Sequence, residues 1–182
     1  RAMQMLPGIT GQSEASSMLI VRGGDPGQNL YLLDNTPLIY VNHLGGFLSV
    51  FNPDIINDIT IMKGGFAAQY GGKLSSIVDI TQRSGNTKQH KGSFGVGITD
   101  INLTLEGPVS KNASYIFTSR KTVYDLLFIA ASLLSKGNAS IVAYGFHDVN
   151  TKITWNPNKK NKFFINLYQG DDYYIASNKP ES

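Results

Sequence analysis

Few residues in this sequence have the type and spacing that chemistry needs. His90 and His147 have no partner at the spacing of metal ligands, so a zinc or haem site is not expected. His43 could contact a ligand, although a lone histidine in a loop is more often solvated. Asp54 and Asp58 stand four residues apart, but a solvated helix face explains that spacing better than paired acid and base carboxylates do.

Two short strings look like motifs of catalytic or nucleotide-binding proteins. Residues 92–97, GSFGVG, are rich in glycine but lack the strand, turn and helix of a nucleotide site. Ser75 and Ser76 have no nucleophile elbow around them. We therefore predict no catalytic residue, no cofactor and no metal, and we do not expect an enzyme.

Length and composition allow one or two ordinary folded domains. The chain has 182 residues, 41% of them apolar and 16% charged. Its 16 basic and 13 acidic residues give a net charge of +3 without a basic stripe, so nucleic acid is not an expected partner. Cysteine is absent, which excludes a disulfide framework and thiolate metal sites. No apolar run reaches the roughly 18 residues of a membrane-spanning helix.

The two halves of the chain differ in composition. Residues 1–86 hold 12 of the 19 glycines and 6 of the 19 aromatic residues, and residues 87–182 hold the remainder. The polar stretch of residues 83–91 has the composition of a connector. We place a domain boundary at Asn86. Because the chain opens at Arg1 without an initiator methionine or a helix cap, we expect an internal fragment.

The first half is predicted to be a small α+β domain, a mixed sheet with short helices. Short β-branched runs are bounded by Gly, Pro, Asn or Asp, and each predicts a strand. Asn52 and Pro53 are suited to begin a short helix. Paired glycines mark the loops. The predicted strands are Met18–Arg22, Leu30–Leu33, Pro37–Val41, Asp58–Met62 and Ser76–Thr81.

The second half is predicted to be five antiparallel strands. Residues 148–155 alternate strictly between polar and apolar side chains, and residues 163–168 repeat this after a polar turn, which predicts a hairpin. Apolar residues lie at even-numbered positions before Thr99 and at odd-numbered positions after it. A tight hairpin at Thr99 explains this phase slip better than a bulge does. A further turn at residues 107–112 precedes a strand over Ser114–Thr122.

Two predicted strands and a long loop over residues 124–145 separate the turns near Pro108 and Pro157. Because each antiparallel strand reverses the direction of the chain, both turns lie at the same end of the sheet. Short turns at one end and long loops at the other characterise outer-membrane barrels. Trp155 is expected in an aromatic girdle. The apolar residues 126–134 are expected in a loop, as a short helix.

Several strings in the sequence resemble a known family. Residues 5–86 contain LPGIT, VRGG, LLDNTPL, KGGFAAQYGGKLSS and VDI. The resemblance continues over residues 91–125, through LEGP and through SRKTVYDLL, which ends at Leu127. Together they resemble the plug domain and first barrel strands of TonB-dependent outer-membrane receptors. The KGGFAAQYGGKLSS string resembles the large receptor group of Bacteroidetes in particular. Asn35 stands where a glycine commonly follows the LLD run, but asparagine tolerates the same left-handed geometry.

The resemblance implies a fold, a location and partners. Residues 1–86 would be a plug whose N-terminal part is missing, and residues 87–182 the first five or so strands of an incomplete transmembrane β-barrel in the bacterial outer membrane. With the plug on the periplasmic side of the first strand, the short turns would be periplasmic. The implied partners are TonB, through a TonB box that is not present here, the remaining barrel, outer-membrane lipid, a small substrate and a surface lipoprotein.

The resemblance also suggests where substrate and barrel would be contacted. The apical plug loops would be residues 24–29 and 40–47, since each joins consecutive strands and concentrates polar and aromatic groups. Arg22 and Arg83 lie at strand edges and are candidates for ion pairs between plug and barrel. The candidate substrate-binding residues are Asp25, Gln28, Tyr40, Asn42, His43 and Phe47.

Energised uptake through the outer membrane is therefore the expected function. A siderophore, glycan, peptide or vitamin would each be compatible with the sequence. The alternative, from another functional class, is a plug-like binding or signalling module that does not transport a substrate. A TonB box upstream and roughly 17 further strands downstream would distinguish transport from that alternative.

Overall fold

The computed structural model of the protein describes residues 6–11, 16–125, 130, 134 and 141–177. The chain divides into a first unit, residues 1–83, and a second unit, residues 84–182. Among the described residues, none forms a helix with the length and hydropathy of a transmembrane segment.

The first unit is built from short strands around a four-stranded mixed sheet. The sheet has the order β4-β3-β8-β7, in which β3 and β8 are parallel and the other neighbours antiparallel. Two smaller antiparallel pairs, β1 with β2 and β5 with β6, complete it. The predicted small mixed sheet is thus confirmed. The strands are β1 (Ile9–Gly11), β2 (Leu19–Val21), β3 (Asn29–Leu33), β4 (Thr36–Leu38), β5 (Asn42–His43), β6 (Leu48–Ser49), β7 (Ile56–Met62) and β8 (Ser76–Gln82).

The core of the first unit lies around the parallel pair β3 and β8. Val78 and Ile80 are 0% exposed, and Leu32 and Leu33 are buried beside them. Strands covered on both faces read as continuous apolar runs, which is why β3 and β8 lack a strict polar alternation. The buried cluster contains Ile9, Leu19, Val21, Tyr31, Leu33, Val78 and Ile80.

The predicted short helices are not present in the described residues of the first unit, which contain only single 3₁₀ turns. Asn52 caps one turn as predicted, since its side chain accepts a hydrogen bond from the Asp54 amide at 3.0 Å. The turn nevertheless ends after Pro53–Ile55, because β7 begins at the next residue and one turn is too short to propagate a helix. Asp58 consequently lies on a strand and shares no helix face with Asp54.

The β3–β4 hairpin depends on two residues in left-handed conformation. Asp34 has φ 48° and Asn35 has φ 65°, as a two-residue turn of the primed type requires. The prediction that Asn35 adopts the left-handed geometry is confirmed. The Asp34 carboxylate also accepts a hydrogen bond from the Gln82 amide at 3.0 Å, which joins the turn to the end of β8.

We expect Asn35→Val to destabilise the first unit by about 1–2 kcal/mol, because a β-branched residue is strained at positive φ. Asn35→Gly serves as the matched control and should stay within about 1 kcal/mol of the wild type. Hydrogen exchange of the β3 and β4 amides measures the effect. Equal exchange in the two variants would contradict the assigned turn geometry.

The second unit is one antiparallel sheet with the order β13-β12-β11-β10-β9, so each strand pairs with its neighbour in sequence. The prediction of five strands is confirmed, and the described sheet is open, with β9 and β13 at its edges. The hairpin at the phase slip is confirmed, since Val96 pairs with Ile101. The strands are β9 (Lys91–Val96), β10 (Asp100–Ser110), β11 (Ala113–Thr122), β12 (Ile141–Asn158) and β13 (Asn161–Ser177).

The strands run further than the sequence pattern predicts. β12 has 18 residues and β13 has 17, and their turn is confined to residues 159–160. β10 likewise continues past Pro108 to Ser110, where the register shifts. A bulge is one of the few places in a sheet that accepts a proline. The predicted helix over residues 126–134 lies largely outside the described residues.

Candidate functional site

Three loops leave the four-stranded sheet of the first unit at the same edge. β3 and β8 begin there, and β4 and β7 end there. We call this the loop edge; its loops are residues 23–28, 39–47 and 63–75. The parallel strands β3 and β8 end at the opposite edge. The two predicted loops thus share one edge with a third, residues 63–75, that the sequence analysis did not include.

The first loop is shaped by two of the predicted site residues. The Asp25 carboxylate accepts a hydrogen bond from the Gly27 amide at 2.7 Å, and the Gln28 side chain accepts one from the Asp25 amide at 3.3 Å. These reciprocal bonds form a capping box around the turn Pro26–Gln28. Asp25 and Gln28 are both exposed, but they hold the loop's own backbone as well as presenting polar groups.

The second loop is a small hairpin fixed at its tip. The Ser17 amide and hydroxyl donate to the Gly46 carbonyl at 2.7 and 2.9 Å, and the same hydroxyl contacts the Asn42 side chain at 2.8 Å. Tyr40 is 84% exposed and Phe47 63% exposed, whereas His43 is 4% exposed. The hairpin therefore presents aromatic rings at its surface and places its histidine inside.

The third loop is tied to the first by hydrogen bonds. Lys73 Nζ donates to the Gly27 carbonyl at 2.7 Å, and the Ser75 amide donates to the Gln28 carbonyl at 3.1 Å. Gly24 of the first loop lies so close to the third loop that a Cβ at Gly24 would come within 2.6 Å of the Ser75 hydroxyl. The close approach is made by Gly24, which belongs to one of the glycine pairs that were interpreted from the sequence only as loop markers.

Arg22 and Arg83 lie at strand ends, where the sequence analysis placed them. Arg22 is exposed with φ 51°, and its guanidinium lies beside Gly64. The Arg83 side chain donates to the Asp54 carbonyl at 2.8 Å. Each thus contacts backbone of the first unit, and their role in ion pairing with a barrel stays a prediction.

Three carboxylates give the four-stranded sheet an acidic region. Asp79 pairs across the strands with Leu32 and Thr60. Its partial burial raises the pKa of Asp79, and the charges of Asp34 and Asp58 raise it further. Since the folded state disfavours the ionised form, the folded protein binds more protons than the unfolded chain between the ordinary and the raised pKa of Asp79.

We expect Asp79→Asn to stabilise the first unit at neutral pH by on the order of 0.5 kcal/mol, a value kept small by solvent screening. The wild type should gain stability as the pH falls through the raised pKa of Asp79 toward its ordinary value, and the difference between the proteins should vanish below that. Urea denaturation at a series of pH values measures this. A variant less stable than the wild type at neutral pH would contradict it.

The two faces of the second unit's sheet differ in chemistry. Alternate residues of β12 and their partners on β10 and β11 are buried and mostly polar, whereas the other face exposes large apolar side chains. The predicted alternation is confirmed. The buried polar set is Thr104, Ser114, Thr118, Arg120, Asp148, Asn150, Lys152 and Thr154. The exposed apolar set is Phe94, Val96, Leu105, Ile153, Trp155, Phe163, Ile165 and Leu167.

An ion pair lies within the buried polar face. Arg120 and Asp148 are cross-strand partners, and Arg120 Nε donates to the two carboxylate oxygens at 3.2 and 3.0 Å. A terminal guanidinium nitrogen contacts the same carboxylate. The guanidinium also lies 5.7 Å from the centre of the Phe146 ring. No local sequence pattern indicates this pair, because its members are 28 residues apart.

The apolar face is bounded by different side chains at its two ends. Near the turn of β12 and β13, the rings of Trp155 and Phe163 lie 5.6 Å apart. Toward the other end, His147 Nε2 lies 3.4 Å from the Asp171 carboxylate, and Lys121 lies over the Tyr173 ring. An apolar band thus runs between an aromatic pair and a charged row. The described residues contain no cluster of three or more metal-ligating side chains.

Comparison with known proteins gives one family match. Residues 1–76 match the family model described as TonB-dependent Receptor Plug Domain. No curated protein matches the sequence. The matched region covers most of the first unit, including β1 to β7.

Solved structures with a similar fold include receptors of Pseudomonas aeruginosa. A variant of the ferric enterobactin receptor PfeA has a TM-score of 0.60 at 17% identity, and the match covers 96% of this chain and 30% of that one. The siderophore receptor PirA has a TM-score of 0.60 at 17% identity, with 94% and 30% covered. Another PfeA variant, in complex with enterobactin, has a TM-score of 0.61 at 16% identity, with 95% and 30% covered.

The mixed-sheet first unit therefore matches the plug-domain model over residues 1–76, and the chain has a fold similar to that of these solved receptors. The chain spans about 30% of the length of the receptors it matches.

Proposed function

We propose that residues 1–86 form the plug, and residues 87–182 the first strands of the barrel, of a TonB-dependent receptor that imports a substrate across the bacterial outer membrane. Within these receptors, we assign the protein to the Bacteroidetes-type group because of the string KGGFAAQYGGKLSS, which forms the third loop of the loop edge. Energy would come from TonB, and the remaining barrel would complete the pore.

The observation that carries this proposal is the pair of opposite faces on the five-stranded sheet. A strand in a barrel wall alternates between lipid-facing apolar residues and polar residues that face the lumen. His147 and Trp155 bound the apolar band, and they are eight residues apart (155 − 147). At ~3.4 Å per residue and a tilt of about 40°, eight residues rise ~21 Å, close to the roughly 25 Å apolar band of such barrels.

The turns support one orientation of these strands. The turns at residues 111–112 and 159–160 are short and share one end of the sheet, as periplasmic turns do. Trp155 would then lie in the periplasmic aromatic girdle. The His147 and Asp171 pair would lie toward the outer surface, at the level of lipid head groups. Outer-membrane lipid is accordingly a proposed partner of the apolar face.

We place substrate contact at the loop edge. Tyr40 and Phe47 offer exposed rings, while Asp25, Gln28 and Asn42 offer polar groups. Of the candidate residues, His43 is buried, so its contribution would be to the shape of the hairpin. Enterobactin is bound by one of the similar structures. For this receptor we propose a siderophore, glycan, peptide or vitamin as the substrate. A surface lipoprotein is proposed as a further partner that helps to deliver the substrate.

The test uses the complete receptor in its native outer membrane. Mass spectrometry of ligand that co-purifies with the receptor identifies the substrate, and accumulation of that substrate is then compared in cells with and without TonB. We expect accumulation to require TonB and to fall in a Tyr40→Ala, Phe47→Ala variant. Accumulation that is equal without TonB would overturn the transport proposal in favour of a binding or signalling module.

A further inference from the structure

The segment that opens the second unit, residues 84–90, is bound to the sheet by three successive residues. We call it the junction segment. The Thr154 hydroxyl of β12 contacts the Ser84 hydroxyl at 3.3 Å. Asn86 donates its amide to the Glu106 carboxylate of β10 at 2.9 Å. Between them, Gly85 is buried against the backbone of β11. The chain thus crosses β12, β11 and β10 in order before it enters β9.

Gly85 is the tightest point of this crossing. A Cβ at Gly85 would lie 1.8 Å from the Tyr115 carbonyl oxygen and 3.1 Å from the Ile116 amide nitrogen. These are backbone atoms of a strand that is paired on both sides, so they cannot rotate away as a side chain would. Glycine is therefore required by the close approach of two backbones.

The rest of the junction segment is also held. The Asn86 side chain accepts hydrogen bonds from the amides of Lys88 and Gln89 at 2.8 and 3.1 Å. His90 Nδ1 then lies 3.3 Å from the Tyr115 hydroxyl. The His90 ring occupies the space that a side chain at Gly107 would need, since a Cβ there would come within 2.1 Å of that ring.

We infer that the junction segment is a fixed anchor and that it stays closed on the sheet during transport. This inference rests on the proposed energised function of the first unit. Movement driven by TonB must then take place before Ser84, by rearrangement within the first unit, and not by rotation about a flexible connector. A polar linker without these contacts would act as a hinge.

A disulfide across the anchor tests this inference, because the 182 residues contain no cysteine. The Ser84 and Thr154 oxygens are 3.3 Å apart, so Ser84→Cys with Thr154→Cys needs only a small shift to bond. In the complete receptor, freed of any other cysteine, the oxidant-induced rate of this bond is measured in outer membranes of cells with and without a proton gradient. Labelling of Ser84→Cys alone by a membrane-impermeant maleimide is measured in parallel.

A cysteine in the first unit reports whether the proton gradient changes the conformation of that unit. Ser17 is held by the Gly46 carbonyl, so maleimide labelling of Ser17→Cys detects rearrangement of the loop edge. We expect this labelling to rise with the proton gradient while the rate of the 84–154 bond stays unchanged. Slower bond formation, or faster labelling of Ser84→Cys, in energised cells overturns the anchor. If neither site responds, the proposed energised function fails, and with it the inference that the junction segment stays closed during transport.

Matched glycine variants test the close approach itself. Gly85→Val should abolish the 84–154 bond, because the chain cannot lie on β11. Gly71→Val is the control, since a Cβ at Gly71 meets nothing within 4 Å. Heat-modifiable mobility in gels confirms that both variants reach the folded barrel. Bond formation at the control rate in a folded Gly85→Val receptor overturns the anchor.

Discussion

Replacing Asp148 with asparagine should lower the free energy of unfolding by about 3–5 kcal/mol, because Arg120 would keep a buried charge that has lost its carboxylate. Asp148 is 2% exposed and Arg120 7% exposed, so little solvent can compensate. The asparagine keeps the size of the side chain, and the loss is therefore one of charge and not of packing. Urea unfolding of the complete receptor in detergent, followed by tryptophan fluorescence, measures the change.

A neighbouring cross-strand pair, His147 on β12 and Asp171 on β13, provides the control. His147 and Asp171 have side chains 45% and 55% exposed, so their interaction is screened by solvent. Asp171→Asn should change stability by less than about 1 kcal/mol. Equal losses for Asp148→Asn and Asp171→Asn would show that burial does not set the strength of the Arg120 pair.

Replacing Ile80 with alanine should destabilise the first unit by about 2–5 kcal/mol, through lost apolar burial and the cavity that remains. Ile80 is 0% exposed and lies in the middle of β8, between β3 and β7. A unit of this size has a small total stability, so the loss should appear as local unfolding. Hydrogen–deuterium exchange of peptides from β3 and β8 in the complete receptor measures it.

An exposed isoleucine of the same unit is the matched control. Ile39 is 89% exposed, and Ile39→Ala should leave exchange of the β3 and β8 peptides unchanged, within about 0.5 kcal/mol. Faster exchange confined to the second unit in Ile80→Ala would contradict the placement of Ile80 in the core of the first unit.

Local features of the sequence predicted the strands well. The alternation over residues 148–155 gave both the existence of β12 and the face to which each residue belongs. The phase slip at Thr99 predicted the β9–β10 hairpin. Each of these features depends only on residues close in sequence, because the side-chain period of a strand is two.

Helices and strand ends were predicted less well. Asn52 and Pro53 begin a turn as capping residues do, yet a strand follows after one turn. The ends of β12 were missed because residues 141–147 carry no strict alternation, although they pair with β13 throughout. Pairing with a neighbouring strand overrides weak local preference.

The sequence by itself determined the two-residue period of the alternating strands, their order along the chain and the family resemblance, because these are set by neighbouring residues. Only the tertiary structure decided which distant residues meet: Arg120 with Asp148, β3 with β8, and Gly85 with the backbone of β11. It also placed His43 inside its hairpin. Burial and pairing depend on partners far along the chain, and no local pattern specifies them.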